Sequence, residues 1–518
     1  MLFNSGVFIF GFLPAALLVF YGLGLLGRQR WAIVWLTVAS LVFYAWWDIS
    51  NVPLLLASIV ANFALQRLLL RRRSRALLVG GIALNLAALV YYKYAGFLAQ
   101  TINAAADAGL PVPYIVLPLA ISFFTFQQIA YLCDTYDGLV DDSSFVNYMA
   151  FITFFPHLIA GPITHHKEII PQLADPGLAR PDARMIAAGA TMFLVGLFKK
   201  VMIADPIAAY ANPVFAAAAD GQPLTLFEAW GGGLAYTLQI YFDFSGYSDM
   251  AVGLGLMFGV RLPFNFDSPL KAASIIDYWA RWHMTLTRFV TAYIYTPVTL
   301  RLTRRRMAAG KPLPRRGRMN LETFLSLVAL PTFFAFLVIG IWHGAGWQFA
   351  LFGALHGIYL TVNHGWRLLR KHWQLDWNER SPLVVVPSVL LTLACVVVGL
   401  VLFRAPDVGT ALHMLDAMFG GASLSLHSSQ LLSHRQVQLT LVLLAIVWLL
   451  PNTQEWLRGT PTGLGEVRPP GWFERWISAR SLGWRPAPAV AVIVGLLGFL
   501  AIAKAISAAP PEFIYFNF

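Results

Sequence analysis

The chain has 518 residues, of which 58% are hydrophobic and only 12% are charged. This composition excludes an ordinary soluble globular protein and is typical of a polytopic membrane protein. A formal net charge of +12 would indicate nucleic-acid binding in a soluble protein, but here the arginines lie in short loops between apolar stretches, where they report orientation. We therefore expect an all-α integral membrane protein that binds no nucleic acid.

Apolar stretches long enough to cross a bilayer, which takes about 17–25 residues, run through the whole chain. Several are short, and a further apolar piece at 145–161 has the pattern of a re-entrant or broken helix. We therefore predict about eleven to thirteen transmembrane or re-entrant helices. The first has no basic segment before it and no cleavage site after it, so we expect a retained helix. The predicted spans lie at about 7–26, 31–47, 52–70, 76–98, 114–132, 185–204, 229–242, 321–342, 347–366, 383–403, 437–451 and 487–507.

The loops between the spans divide by charge. Lys and Arg are scarce in 48–52, 99–113 and 405–433 and are concentrated in the loops of the other side. Because basic loops stay in the cytoplasm, both termini are predicted to be extracytoplasmic. The basic residues include Arg28, Arg30 and those of 71–75, 301–318, 367–371 and 458–485.

Polar side chains enter the membrane in the middle of the chain, where the apolar pattern fragments between 225 and 300. Asp243, Ser245 and Asp249 are embedded in apolar sequence, and lipid cannot satisfy their hydrogen bonds. They must therefore face the protein interior or a wet cavity, with Ser245 and Asp249 on one helix face. The alternative to an acid–base role for the two aspartates is a structural one, in which they bond broken backbone.

The first candidate histidine, His283, lies in an amphipathic piece at 275–289. At helical spacing, Trp279, Trp282 and His283 share one side, which predicts an interfacial helix that carries the histidine inward. The plainer interpretation is a histidine at the membrane surface with no role in chemistry.

The second candidate, His343, directly follows a strongly apolar run that ends at Trp342. An ionisable side chain at a membrane boundary is costly, which makes it a candidate for function. Histidine can take up and return a proton near neutral pH, as the activation of a hydroxyl group requires. The predicted orientation directs the span 321–342 outward and so places His343 toward the outer side. The plainer alternative is a histidine that bonds a carbonyl group at a helix end.

Three further histidines lie in 154–168, where two prolines break the apolar sequence. We predict that His157 faces a cavity, whereas His165 and His166, which are followed by two charged residues, are expected in a solvated loop. No group of histidines shows the spacing of a metal site, so we expect no metal.

Four motifs occur along the chain: His-Leu-Ile-Ala-Gly-Pro at 157–162, Tyr-Phe-Asp-Phe-Ser-Gly-Tyr-Ser-Asp at 241–249, Trp-Ala-Arg-Trp-His at 279–283 and Trp-His-Gly-Ala at 342–345. Together and in this order they resemble the membrane-bound O-acyltransferase family. The likeness covers nearly the whole chain and is closest to the bacterial branch that contains an alginate O-acetylation membrane protein, which implies a bacterial inner membrane as the location. After the third motif, relatives carry an Arg-Asp pair and a glycine-containing loop, which 285–297 lacks here.

That resemblance implies many helices around a central tunnel, with His343 as the family's essential histidine and His283 as that of its Trp-His motif. It implies acetyl-CoA as the donor substrate and no permanently bound cofactor. Basic residues such as Lys199, Lys200 and Arg281 would then meet the phosphates of CoA. The alternative for Lys199 and Lys200 is that their side chains only snorkel, with the charged ends reaching the membrane surface. The residues expected to line the tunnel are Asp243, Ser245, Asp249, Trp279, Arg281, Trp282, Trp342 and His157.

We therefore predict an O-acyltransferase, specifically an O-acetyltransferase that moves acetyl from cytoplasmic acetyl-CoA toward hydroxyls of an extracytoplasmic polysaccharide such as alginate. Transfer would be direct or through a partner, such as an extracytoplasmic acetyltransferase or a polysaccharide-secretion protein, in contact with membrane lipid. The alternatives are a proton-coupled transporter or flippase, an acyltransferase for lipid or protein, and a non-catalytic scaffold. The predicted organisation is N-terminal transmembrane helices at 1–132, a catalytic core at 133–404 and C-terminal transmembrane helices at 405–518.

Overall fold

A computed structural model describes residues 1–140, 144–314, 319–375, 381–421, 431, 433–457, 462–464, 484, 486–507 and 513–514. Parts of the predicted basic loops at 301–318 and 458–485, most of 422–433 and most of the C-terminal segment lie outside these residues. Within the described ranges the protein is all-α, and the prediction of a polytopic helical membrane protein is confirmed.

The α-helices of the described residues are α1 Leu13–Leu25, α2 Gln29–Ala45, α3 Val52–Arg71, α4 Arg75–Leu89, α5 Ala95–Ala106, α6 Ile121–Tyr136, α7 Phe145–Thr153, α8 Phe155–Leu158, α9 His166–Leu173, α10 Ala183–Phe198, α11 Asp205–Ala219, α12 Leu226–Met257, α13 Ile275–Trp279, α14 Met284–Val290, α15 Thr296–Ala308, α16 Leu321–Phe324, α17 Leu330–His343, α18 Trp347–His372, α19 Pro382–Arg404, α20 Val408–Phe419, α21 His434–Leu449, α22 Thr453–Trp456 and α23 Pro488–Ser507. Wider π-helical turns occur at Val7–Phe12, Val90–Tyr94, Lys199–Ala204, Thr291–Tyr295 and Leu325–Ala329, and 3₁₀ turns at Ile49–Asn51 and Pro269–Lys271.

Seven helical segments of the described residues are long and apolar enough to cross a membrane, and α21 is a shorter apolar helix. Other predicted crossings fall on helices that are shorter or more polar, such as α2, α12 and α18. The seven segments are Val7–Leu25, Ile49–Arg71, Arg75–Ala106, Ala183–Ala219, Leu321–His343, Pro382–Arg404 and Pro488–Ser507.

The predicted span at 114–132 is wrong in its first part. Residues 107–118 are not helical, and α6 begins only at Ile121. Pro111, Pro113 and Pro118 explain the difference, because each removes a backbone N–H donor and two of them lie within three residues. The apolar pattern alone did not distinguish this extended approach from a helix.

The apolar pattern fragments from residue 225, but the helix there does not: α12 runs unbroken for 32 residues, well beyond the span predicted at 229–242, and is buried along most of its length. It packs against α10, α11, α19 and α20 and forms the centre of the protein. A capping box starts it, in which the Thr225 hydroxyl accepts from the Glu228 N–H and the Glu228 carboxylate accepts from the Thr225 N–H.

Glycines allow α12 to pack closely against α10, and they do not unwind it. A β-carbon at Gly246 would lie 2.7 Å from the carbonyl oxygen of Gly196, and one at Gly253 would lie 2.5 Å from that of Gly189. Such small-residue contacts let the two backbones approach where larger side chains would separate them.

Candidate active site

His343 ends the first arm of a helical hairpin formed by α17 and α18. The two arms meet at glycines: a β-carbon at Gly340 would lie 2.3 Å from the carbonyl oxygen of Phe349, and one at Gly353 would lie 2.3 Å from that of Phe336. The turn that follows His343 also needs glycine, because a β-carbon at Gly344 would overlap the Phe349 ring. The sequence around His343 thus folds into a tight hairpin that buries the histidine.

The imidazole of His343 lies among aromatic rings, with only 6% of the residue exposed. Its ring centre is 5.0 Å from that of Trp342, 5.1 Å from that of Phe403 and 6.2 Å from that of Phe352. His283 lies close enough to His343 for the two rings to interact electrostatically. The structure therefore brings together the two histidines that the sequence singled out, in surroundings where polar interactions are strong.

His283 is held in an unusual backbone conformation by Asn265. Its φ of 44° lies in the left-handed region, at the residue that precedes α14. The ring atom Nδ1 lies 3.0 Å from Asn265 Oδ1, which also accepts from the N–H and the hydroxyl of Thr285. Because a backbone N–H identifies that atom as the amide oxygen, Nδ1 of His283 carries the proton and Nε2 carries the lone pair.

Asn265 in turn is fixed from two sides. Its side-chain N–H donates to the Ser248 hydroxyl of α12 at 3.2 Å, and its backbone carbonyl oxygen accepts from the Met284 N–H at 3.0 Å. Asn265 was not among the residues predicted from the sequence. The available signal was an amide side chain within the apolar sequence at 262–267.

The predicted one-sided helix at 275–289 is wrong, because α13 and α14 are separate short helices with His283 in the turn between them. Trp279 points instead to α18, where its indole N–H donates to Nδ1 of His356 at 3.1 Å. Trp282 packs parallel to Tyr278 with ring centres 5.7 Å apart. Because no continuous helix joins Trp279, Trp282 and His283, helical spacing did not predict where their side chains point.

Arg281 forms an ion pair with Asp277, 3.0 Å from Nε to Oδ1. Arg281 lies two residues before His283, and its side chain is directed at Asp277.

The two predicted carboxylates of α12 form buried ion pairs with neighbouring lysines. Asp249 accepts from Lys199 at 2.6 Å and from Thr453 and Gln454 at 2.7 and 2.9 Å. Asp243 lies 2.6 Å from Lys200. The structure therefore pairs Lys199 and Lys200 with buried carboxylates, and their contact with CoA phosphates stays a prediction.

Ser245 is buried near these pairs, and its hydroxyl has no hydrogen-bond partner within the described part of the chain. Trp342 packs parallel to Phe126 with ring centres 5.0 Å apart, and its indole N–H likewise has no partner among the described residues. Both groups are thus polar atoms of the protein interior, and their place in the tunnel lining stays a prediction.

His157 is buried in the segment broken at Phe154, where α7 and α8 confirm the predicted broken helix. Its Nδ1 lies 3.3 Å from Nε2 of Gln127, which also donates to Thr164. The following Ile163 N–H donates to the Thr285 hydroxyl at 3.0 Å. This segment therefore packs against the start of α14. The hydroxyl that it contacts, that of Thr285, also donates to the Asn265 side chain that bonds His283.

The predicted solvated loop at His165 and His166 is wrong for His166, which is buried. Asp134 Oδ2 lies 2.6 Å from Nε2 of His165, 2.9 Å from Nε2 of His166 and 2.8 Å from the Tyr293 hydroxyl. Burial lowers the pKa of His166, and the hydrogen bond to Asp134 opposes that change. The sequence hid this cluster because its members come from three distant segments.

These residue types could hold a metal ion, since the ligand atoms of Asp134, His165 and His166 all lie within 4.8 Å of one another. However, Nδ1 of His165 accepts from the Lys167 N–H at 3.3 Å, so its Nε2 carries the proton and donates. The cluster is therefore a hydrogen-bonded one in this arrangement. The expectation of no metal stays a prediction.

Comparisons with known proteins agree with this architecture. The sequence model of the membrane-bound O-acyltransferase family matches residues 134–309. A peptidoglycan O-acetyltransferase of Helicobacter pylori is 37% identical over 82% of this chain and 81% of its own length. A probable alginate O-acetylase of Pseudomonas aeruginosa is 36% identical over 81% of this chain and 75% of its own length. A teichoic acid D-alanyltransferase of Bacillus subtilis is 24% identical over 55% of this chain and 68% of its own length.

The helices and the paired buried histidines thus belong to a multi-pass membrane protein of the acyltransferase class. The chain is a member of the membrane-bound O-acyltransferase family, which confirms the resemblance drawn from the motifs. The family match includes His157 and His283 and ends before His343.

Proposed function

We propose that this protein is an O-acetyltransferase that moves acetyl from cytoplasmic acetyl-CoA to hydroxyl groups of an extracytoplasmic polysaccharide, directly or through a partner protein. The observation that carries the proposal is the burial of His283 and His343 within electrostatic range of each other, with Asn265 fixing the tautomer of His283. Two relatives with similar chains are named for O-acetylation of peptidoglycan and alginate, which supports acetyl as the group and a polysaccharide as the acceptor.

In the proposed reaction, an acceptor hydroxyl attacks the acetyl carbonyl carbon and loses its proton to His343, which acts as general base. The bond from the carbonyl carbon to sulfur breaks, and CoA leaves as a thiolate that takes up a proton. A two-step route, in which His343 first receives the acetyl group, uses the same residue. The aromatic rings around His343 would keep water from competing with the acceptor.

The tautomer of His283 limits its role. Stabilising an oxyanion requires an N–H donor, but the proton of His283 lies on Nδ1 and is directed at Asn265. Its Nε2 therefore accepts hydrogen bonds, and we assign His283 to orienting the donor, for example by accepting from an amide N–H of the pantetheine arm. The predicted tunnel residues Asp243 and Asp249 would then shape the surroundings through their ion pairs without taking part in proton transfer.

The acceptor class can be tested in membrane vesicles that contain the protein. Radiolabelled acetyl-CoA is supplied at the cytoplasmic face, and label is measured separately in peptidoglycan, soluble polysaccharide, lipid and protein. The proposal expects base-labile label in a polysaccharide fraction. Label confined to lipid or protein would replace it with an acyltransferase for that acceptor.

We infer an orientation with both termini extracytoplasmic and His343 toward the outer side, from the distribution of basic loops. Cysteine labelling tests this orientation with an impermeant maleimide on intact cells. A cysteine at exposed Ala345, two residues after His343, should react from outside, and one at exposed Met307 should react only after lysis. Cys133 and Cys395 are replaced by serine beforehand. The reverse pattern of labelling would invert the orientation.

A further inference from the structure

Lys93 is a charged residue inside one of the apolar spans, Arg75–Ala106. A charge at such a position is costly unless it is paired or bonded, and it marks a place where the protein needs it. The lysine lies in the wide π-helical turn Val90–Tyr94 between α4 and α5. Such turns inside helices redirect side chains and are frequent at functional sites.

All three N–H groups of the Lys93 ammonium have acceptors. They are the carbonyl oxygen of Trp342 at 2.6 Å, that of His343 at 3.1 Å and the Ser122 hydroxyl at 3.4 Å. The ammonium also lies 5.8 Å from the centre of the Trp342 ring. Because its donors point at backbone carbonyls, Lys93 is placed to hold α17 and not to exchange protons with a substrate.

The neighbouring residue completes the contact, since the hydroxyl of Tyr94 donates to the carbonyl oxygen of Ile341 at 2.8 Å. Two consecutive residues therefore bond the carbonyls of the last three residues of α17. These carbonyls have no partner within the helix, and a cation is favoured at this end of the helix dipole. The glycine turn after His343 offers no side-chain cap of its own.

We propose that Lys93, assisted by Tyr94, is a positioning residue that fixes the end of α17 and thereby the place of the His343 imidazole. The inference rests on the proposed function of His343. A displacement of about 1 Å at a reacting group can lower a rate by about a hundredfold. Loss of this contact should therefore act on the rate of the chemical step and leave binding of the donor at its own site unchanged.

The test compares purified full-length variants for CoA release from acetyl-CoA, for the KM of acetyl-CoA and for thermal stability. Lys93→Met keeps the length of the side chain and removes the donors, and we expect kcat to fall by about ten- to a hundredfold with KM within about twofold. Lys93→Arg keeps the charge and donors and should recover part of the loss. Tyr94→Phe removes one hydrogen bond and should lower kcat severalfold. Tyr91→Phe, at a neighbouring exposed tyrosine, is the matched control and should equal wild type.

The outcomes separate this inference from the proposed function. If His343→Ala abolishes CoA release while Lys93→Met and Tyr94→Phe retain wild-type kcat, the positioning role is overturned and the function stands. If His343→Ala is as active as wild type, the proposed function itself fails. An equal change of kcat and KM, or no difference between Lys93→Met and Lys93→Arg, would also overturn the inference. If Lys93→Met does not fold, Tyr94→Phe and Lys93→Arg provide the test. A lower kcat with unchanged KM in these variants supports the inference, and wild-type kcat in both overturns it.

Discussion

Replacing His343 by alanine is expected to lower O-acetylation by about a thousandfold. The variant lacks the general base for the acceptor hydroxyl or, in the two-step route, the side chain that receives the acetyl group. The side chain lies in an aromatic pocket at the end of α17, and its backbone is held by Lys93 from outside the helix. The variant should therefore still fold and reach the membrane. Cells that contain only this variant are assayed for ester-linked acetate on envelope polysaccharide and for the amount of protein in the membrane.

The matched control is His413→Ala, at a histidine that bonds the carbonyl oxygen of Gln222 far along the chain from the pair. It should leave the acetate content unchanged. Normal acetylation by His343→Ala, at equal protein level, would refute the catalytic role of His343.

Replacing Asn265 by alanine should lower the rate of transfer by about ten- to a hundredfold. The reason is the tautomer of His283: the substitution removes the amide oxygen that keeps the proton on Nδ1, and the left-handed turn at His283 loses its bonds to the Asn265 side chain. In addition, Thr285 and Ser248 would each lose a partner. The measurement is CoA release by the purified variant, together with its thermal unfolding midpoint.

Two comparisons sharpen this second prediction. Asn265→Asp keeps an acceptor for Nδ1 and should retain more activity than Asn265→Ala. Asn103→Ala is the control, since Asn103 bonds only the nearby backbone of Leu110. Equal activity of Asn265→Ala and wild type would show that the tautomer of His283 does not matter for the reaction.

The sequence predicted those features that depend on long apolar runs and on local motifs. The helical class, the placing of His343 at the end of an apolar span and the break in the segment of His157 all follow from composition and periodicity. The family assignment followed from motif order. Each of these signals lies within one stretch of chain, where hydrophobic pattern and proline positions decide the local structure.

The features that the sequence did not reveal depend on contacts between distant segments. Lys93 bonds carbonyls about 250 positions away in the chain, and nothing near it in the sequence indicates that partner. Likewise, Asp134 gathers His165 and His166 from another segment, which converts an expected solvated loop into a buried cluster. The full length of α12 was missed because its polar residues end the apolar pattern at 242, whereas the Asp249 carboxylate accepts hydrogen bonds from side chains of a distant segment.

The rival function, a proton-coupled transporter, would use the intramembrane Asp243, Asp249 and His343 as a proton or substrate pathway. Asp243 and Asp249 instead face lysines across short ion pairs. Family membership and the names of the relatives support acyl transfer as the function to test first.

The central claim is that this chain itself takes acetyl from acetyl-CoA at the histidine pair. It is tested most directly with purified wild type and His343→Ala in nanodiscs, given acetyl-CoA labelled in the acetyl group, with free CoA and label on protein or an added hydroxyl acceptor followed over time. We predict CoA release by wild type that His343→Ala lacks, with label on the protein if transfer has two steps. Equal release by both proteins, or a wild type that binds no acetyl-CoA, would contradict the claim.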